Sequence, residues 1–191
     1  MKPIPDRLGR ARRYDLAPVS GFVNRELALQ AAWLQELAER VYDQIADLPR
    51  EALDYVPGET RLSIARLVVH LAWAEAYWVS NLTGAPWPED LKATLELGRL
   101  SEFQKPPVSA GSASELIGFC RRVQERYTAP ALAPLTDIDR PFEAGGRMVN
   151  VRGVMAQLQW HWAYHSGQIG LLRLQWGSDY TWTNQDIVYR I

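Results

Sequence analysis

Apolar residues recur at helical spacing in four long stretches of the chain, and this pattern predicts four long helices. The stretches run from about 24 to 48, 61 to 82, 113 to 131 and 150 to 176. In the first stretch the apolar residues repeat every seven positions, at Leu27, Leu34, Val41 and Leu48. Each predicted helix therefore has one apolar stripe, and the four stripes can share one core.

Residues with capping or helix-breaking chemistry delimit these stretches. We expect Asn24 to cap the first helix and Pro49 to stop it, because proline cannot continue a helix. Thr60 or Ser63 is expected near the start of the second helix. Gly177 is the predicted end of the fourth helix.

The connections carry turn chemistry. Residues 55–58 contain Pro-Gly and are predicted to form a loop, and residues 104–114, rich in Pro, Ser and Gly, form another. A short helix is expected within 89–100. Residues 140–149 predict a small β-hairpin, whose two apolar flanks surround Ala-Gly-Gly.

Length indicates a single domain, since 191 residues fit one core. We assign this domain to residues 21–191 and expect the tail, 178–191, to pack back on the bundle. Residues 1–20 are predicted to be a flexible basic leader. Its basic side chains are Lys2, Arg7, Arg10, Arg12 and Arg13.

Composition and charge give no support to several classes of function. With 21 basic and 22 acidic side chains, the charge gives no support to a nucleic-acid or membrane partner. We found neither a signal-peptide pattern nor 18 consecutive apolar residues. The one cysteine, Cys120, permits no intramolecular disulfide and no thiolate cluster, which favours a cytoplasmic location. Cys120 lies on the apolar stripe of the third helix, where we expect a buried, inert thiol.

Histidine is scarce, yet two of the three histidines lie four positions apart. His161 and His165 are separated by about 40° around a helix, so both rings project from one face. Val154, Leu158 and Leu172 share that face and direct it inward, and Gln157 and Gln168 bracket the histidines. The pattern suits a metal site, although buried or exposed histidines without a metal fit it as well.

His70 lies at the edge of the apolar stripe of the second helix. If the two helices pack together, three imidazoles can hold one divalent metal ion, with zinc or nickel the best candidates. Three protein ligands leave a position open for water or substrate, as in catalytic zinc sites. Gln157 and Gln168 could orient a ligand ring or a bound water.

Two segments resemble the DinB-like family. Residues 160–169, WHWAYHSGQI, are similar to the family's last-helix motif, H-x-x-Y-H-R-G-Q-I, and residues 63–73, SIARLVVHLAW, resemble its second-helix histidine segment. The resemblance covers about residues 24–176. Ser166 departs from it, because the family usually has arginine there, and this weakens any role for a basic group beside the metal.

The resemblance implies an all-α four-helix bundle of up-down-down-up type, with a hairpin before the last helix. It also implies that His70, His161 and His165 are the metal ligands, and that the protein is a homodimer acting on a small molecule. Some members transfer low-molecular-weight thiols, and others are described as metal-dependent hydrolases. In both cases the metal would activate its bound thiol or water.

The residues add little to this chemistry beyond the ligands. Trp162 stands where a zinc protease of the H-E-x-x-H type has its glutamate base. Glu75 lies about 140° from His70 around its helix, so we do not assign it as a base. Trp73, Tyr77 and Tyr164 flank the histidines and could line an apolar pocket, although ordinary packing explains them equally well.

Two other classes of function stay open. The metal could merely brace a non-catalytic bundle that acts as a binding or stress-response protein, in which case a protein side chain should close the fourth metal position. A nucleic-acid partner rests on the basic leader alone, and it predicts salt-sensitive binding that is lost with residues 1–15.

Overall fold

Seven α-helices, one π-helical turn and a two-stranded hairpin make up the computed structural model, which describes residues 6–10, 15–58, 61–99, 101–102, 111–144 and 146–180. The helices and strands are α1 (Arg25–Ile45), α2 (Arg50–Asp54), α3 (Ile64–Thr83), α4 (Glu89–Glu96), α5 (Ala113–Val123), the π turn (Gln124–Thr128), α6 (Ala129–Leu132), β1 (Phe142–Ala144), β2 (Arg147–Val149) and α7 (Val151–Trp176). The four predicted helices and the predicted hairpin are confirmed.

Capping residues explain where the long helices begin and end. The side chains of Asn24, Ser63 and Asn150 each accept a hydrogen bond from the main-chain N–H three residues further on. Gly84 and Gly177 follow the last residues of α3 and α7 with φ of 72° and 89°, a left-handed conformation that favours glycine. The predicted cap Asn24 and the predicted stop Gly177 are confirmed.

The boundaries around Pro49 differ from the prediction. Helix α1 ends at Ile45 rather than near Leu48, and the five-residue helix α2 follows where no helix was expected. The residue before a proline is pushed towards extended backbone, so the first helix ends early and Pro49 becomes the N-cap position of α2. Helix α3 starts at Ile64 because Ser63 is its cap, and Thr60 lies outside the described residues.

The third predicted helix is interrupted. The prediction of one continuous α-helix from 113 to 131 is wrong between Gln124 and Thr128, which form a π turn joining α5 to α6. Pro130 lies just after this turn. Proline lacks an N–H and its ring clashes with the carbonyl four residues earlier, so we attribute the wider turn to this clash.

Side-chain pairs establish the direction of the helices. Glu26 pairs with Arg152 near the start of α1 and α7, and Asp47 pairs with Arg173 near their ends, so α1 and α7 run parallel. The Sγ atom of Cys120 lies 3.8 Å from the carbonyl oxygen of Val68.

Two contacts with α3 give the direction of the third helix, which comprises α5, the π turn and α6. Cys120 on α5 lies near Val68, early in α3, and the Tyr127 hydroxyl in the π turn donates to the carbonyl of Ala85, just after α3. The third helix therefore runs parallel to α3. Helices α3 and α7 are antiparallel, because Glu75 contacts Trp162 whereas Trp78, further along α3, shares a cavity with Gln157, earlier on α7. The arrangement is therefore up-down-down-up, as predicted.

The core lies between the four long helices and is closed by α2 and α4. Trp162 is the largest fully buried side chain and meets the ring of Tyr42 edge-on, with ring centroids 6.0 Å apart. In the hairpin, Phe142 pairs with Val149. Within the part of the chain that the structure describes, every helix is too short or too polar to span a membrane.

Both chain ends contact the bundle where they are described. Arg10 pairs with Glu36 at 2.7 Å, and the Tyr180 hydroxyl donates to Asp43. The predicted boundary between a leader and a domain stays a prediction. Several residues of the leader and tail lie outside the described residues, namely Lys2, Arg12, Arg13, Trp182, Ile187, Val188 and Tyr189.

Candidate metal site

The three histidines meet between α3 and α7. The Nε2 atom of His161 lies 3.2 Å from Nε2 of His70 and 2.9 Å from Nε2 of His165. One ligand atom from each ring falls within 4.8 Å of the others. Four-coordinate zinc, with Zn–N bonds of about 2.0–2.1 Å, would separate its nitrogens by roughly 3.3 Å. The two distances from His161 are therefore close to the spacing of ligands on one cation.

Hydrogen bonds at the far side of two rings fix which nitrogen faces the centre. Nδ1 of His70 lies 2.7 Å from the Gly98 carbonyl oxygen, and Nδ1 of His165 lies 2.6 Å from Oε1 of Gln168. Both oxygens can only accept, so we assign the proton to Nδ1 and a lone pair to Nε2 in each ring. Two lone pairs thus face His161, which can donate to only one, and a shared cation satisfies all three.

Burial keeps the three imidazoles neutral. It lowers the pKa of His70 to about 4, despite the hydrogen bond to Gly98. It lowers the pKa of His161 to about 3, with a further contribution from the two neighbouring histidines, and it lowers the pKa of His165. Imidazole binds metal only as the neutral base, so the site is ready to bind at neutral pH.

Gly98 is a part of this site that sequence analysis missed. It follows α4 and packs on α3 so closely that a Cβ atom there would lie 2.6 Å from both the Val69 carbonyl oxygen and the Trp73 Cβ. Only glycine allows the backbone to approach α3 and offer its carbonyl to His70. The acceptor is 28 positions from the histidine, so no local pattern signals it.

Aromatic side chains continue from the histidines along both helices. On α3 the ring of Trp73 stacks on His70 with centroids 5.5 Å apart, and Tyr77 stacks on Trp73 at 5.2 Å. On α7 the ring of Tyr164 meets His165 edge-on at 5.1 Å. Trp160 stacks on Tyr164 at 5.1 Å, and both of these side chains are exposed. The structure thus places Trp73 and Tyr164 against the histidines, with Tyr77 one ring further along α3, and adds Trp160, which sequence analysis had not singled out.

The two glutamines have different surroundings. Gln168 contacts His165 directly, and its Nε2 donates to the Tyr164 hydroxyl at 3.3 Å. Gln157 is exposed and lines a cavity with Trp78 and the hairpin residue Met148. Gln168 therefore orients the His165 ring, whereas Gln157 faces the hairpin.

Other candidate groups lie apart from the histidines. Cys120 is buried, and burial raises the pKa of its thiol. Glu75 is completely buried and accepts a hydrogen bond from Nε1 of Trp162, consistent with its predicted direction away from His70. Ser166 donates to Oε1 of Gln44 and so connects α7 to α1.

Comparisons with known proteins identify the family of the chain. A sequence model of the mycothiol-S-transferase family matches residues 29–176, which include all three histidines. Among solved structures, a DinB-like protein from Bacillus subtilis, YjoA, is 21% identical, with a TM-score of 0.49 over 83% of this chain and 94% of that chain. No curated protein matches the chain. The resemblance to DinB-like proteins is confirmed, and the chain belongs to the mycothiol-S-transferase family.

Proposed function

We propose that the protein is a metal-dependent S-transferase that joins a low-molecular-weight thiol to a small electrophile. The observation that supports this proposal is the convergence of three neutral Nε2 atoms from His70, His161 and His165. These atoms would hold one divalent ion, with zinc or nickel the best candidates for imidazole ligands. Three protein ligands leave room for a substrate atom on the same ion.

A bound divalent ion would supply one chemical effect, which is to favour the thiolate form of a thiol at neutral pH. The surrounding residues prepare the site for it. The Gly98 carbonyl and Gln168 fix the tautomers of two rings, and the burial of all three rings keeps them unprotonated. The site needs no nucleophile from the protein, consistent with the burial of Cys120.

The aromatic side chains around the histidines supply a wall for the substrate. Trp73 and Tyr77 extend the wall on α3, and Tyr164 and Trp160 extend it on α7. Aromatic faces bind apolar groups and rings with little loss of side-chain freedom. We assign to them the non-reacting part of the thiol or of the electrophile.

The family match favours thiol transfer over the hydrolase alternative and supports mycothiol as the thiol. Homodimer formation and a cytoplasmic location stay predictions from the family resemblance and from the single cysteine. Sedimentation of the purified protein tests the first of these.

Enzyme assays test the proposal directly. The metal-loaded protein is mixed with a fluorogenic electrophile and either mycothiol, bacillithiol, glutathione or no thiol. We expect the fastest adduct formation with mycothiol, and a loss of at least about 100-fold in His165→Ala, since this change removes a ligand. Equal rates for parent and variant with every thiol would contradict the proposal.

A further inference from the structure

A buried carboxyl group connects the helices that carry the histidines. Glu75 lies on α3, five positions after His70, and is completely buried. Its Oε2 atom accepts a hydrogen bond from Nε1 of Trp162 at 3.1 Å, and Trp162 directly follows His161 on α7. The contact therefore joins α3 to α7 close to the point where both helices present their histidines.

The same carboxyl oxygen also contacts the third helix. Nε2 of Gln124, in the π turn, donates to Oε2 of Glu75 at 3.2 Å. The hydroxyl of Tyr42, on α1, donates in turn to Oε1 of Gln124 at 3.3 Å, and the Tyr42 ring meets Trp162 edge-on. These four side chains, which we call the Glu75 network, join all four long helices across the core.

The energetic role of this network is not simple stabilisation. The donors to Glu75 in this network, Trp162 and Gln124, are neutral, and burying a carboxyl among neutral groups is costly. Apolar side chains of similar volume could fill the same space at less cost. Buried polar networks instead select one arrangement among the packings that an apolar core allows.

The packing of α7 against α3 determines where the imidazoles of the three histidines lie. Side chains extend about 5–6 Å from a helix axis, so a 20° rotation of α7 would move the imidazoles by roughly 2 Å. Ligand distances in metal sites are held to within about 0.2 Å. Even a small rotation of α7 against α3 would therefore separate His161 and His165 from His70.

We propose that Glu75 is a positioning residue, which fixes the rotation of α7 through Trp162 and so holds His161 and His165 opposite His70. This inference rests on the metal site of the proposed function. It assigns to Glu75 no contact with metal or substrate. It also gives the π turn a role, because the turn carries Gln124 to the carboxyl group.

Metal affinity of matched variants tests this role. Glu75→Leu removes the carboxyl while keeping most of its volume, and Trp162→Phe removes the donor while keeping an aromatic ring. Glu75→Gln retains an acceptor for Trp162, and Leu53→Ala, at a buried position of α2, is the control for general loss of stability. For each protein we would measure the Zn²⁺ Kd by chelator competition, the visible spectrum with Co²⁺, and urea unfolding without metal.

We expect Glu75→Leu and Trp162→Phe to bind Zn²⁺ about 10- to 100-fold more weakly, with an altered Co²⁺ spectrum. Glu75→Gln should recover most of the affinity. Leu53→Ala should unfold more easily and yet bind Zn²⁺ within about threefold of the parent.

Either of two results would overturn the inference: parent-like affinity and spectrum in Trp162→Phe, or an equal loss of affinity in Leu53→Ala. Trp162→Phe decides the question if Glu75→Leu does not fold. A parent protein that binds no divalent metal would contradict the proposed function itself and the inference with it. Tight metal binding without thiol transfer would contradict only the catalytic part of that function.

Discussion

The Nδ1 atom of His70 lies 2.7 Å from the carbonyl oxygen of Gly98, a residue from a different part of the chain. This contact fixes the proton on Nδ1 and directs the Nε2 lone pair towards the other two histidines. Because the glycine also packs against α3 without room for a side chain, the backbone that follows α4 sets the orientation of the His70 ring on α3.

Gly98→Ala should therefore weaken the site. The added methyl group would lie 2.6 Å from the Val69 carbonyl oxygen, so the segment must move away from His70 and lose the hydrogen bond. We expect about tenfold weaker Zn²⁺ binding, measured by chelator competition. Gly167→Ala on α7 is the control, because its added Cβ meets nothing within 4 Å. Unchanged affinity in Gly98→Ala would contradict the role of this carbonyl.

The two glutamines that bracket the histidine pair provide a second matched test. Gln168→Leu removes the acceptor of His165 Nδ1, so we expect Zn²⁺ affinity to fall by about 10- to 100-fold. Gln157→Leu changes an exposed residue beside the hairpin and should leave the affinity unchanged. Isothermal titration of both variants distinguishes them, and equal effects would show that Gln168 has no special role.

Much of the fold follows from local sequence signals. Apolar spacing acts along each helix, and the cap Asn24 and the stop Gly177 act within a few residues of a helix end, so the sequence alone predicts all three. The early end of α1 depends on the residue before Pro49, and the π turn depends on Pro130. Both prolines are visible in the sequence, but the size of their effect depends on packing.

The candidate site likewise has a part that local sequence predicts and a part that depends on how the helices pack. His161 and His165 could be paired from their spacing alone, since a helix places them on one face. The approach of His70 depends on how α3 packs on α7, and here the family resemblance supplied what periodicity could not. Gly98 and the contact between Glu75 and Trp162 depend on the rotation and separation of whole helices, which no local pattern encodes.

The pH dependence of stability should reveal the buried carboxyl. Burial raises the pKa of Glu75 above its ordinary value of 4.5, although hydrogen bonds from Thr128, Gln124 and Trp162 oppose this shift. The folded state therefore keeps the proton to a higher pH than the unfolded state does. The stabilisation that results is complete below pH 4.5 and is lost as the pH rises through the folded-state pKa.

Glu75→Gln has no such titration. The free energy of unfolding of the parent, minus that of Glu75→Gln, should fall as the pH rises above 4.5 and then level off. Urea unfolding of both metal-free proteins at a series of pH values measures this difference. A difference that grows with pH would mean that the pKa of Glu75 is lowered in the folded protein.

The exposed aromatic pair on α7 should affect substrate rather than metal. We expect Trp160→Ala to lower kcat/KM for thiol transfer by about fivefold, because the change removes roughly one aromatic contact with the substrate. The Zn²⁺ affinity should be unchanged. Trp33→Ala, an equally exposed tryptophan on α1, serves as the control. The same small loss of activity in both variants would contradict a substrate wall at Trp160.

Metal content is the most direct measure of the three-histidine site. We expect protein purified without an affinity tag to carry about one equivalent of a divalent ion, and His165→Ala to carry little. Elemental analysis of both proteins gives the amount and the identity of the metal. A parent protein that carries no metal and cannot be loaded with zinc or nickel would show that His70, His161 and His165 form only a polar seam in the core of the bundle.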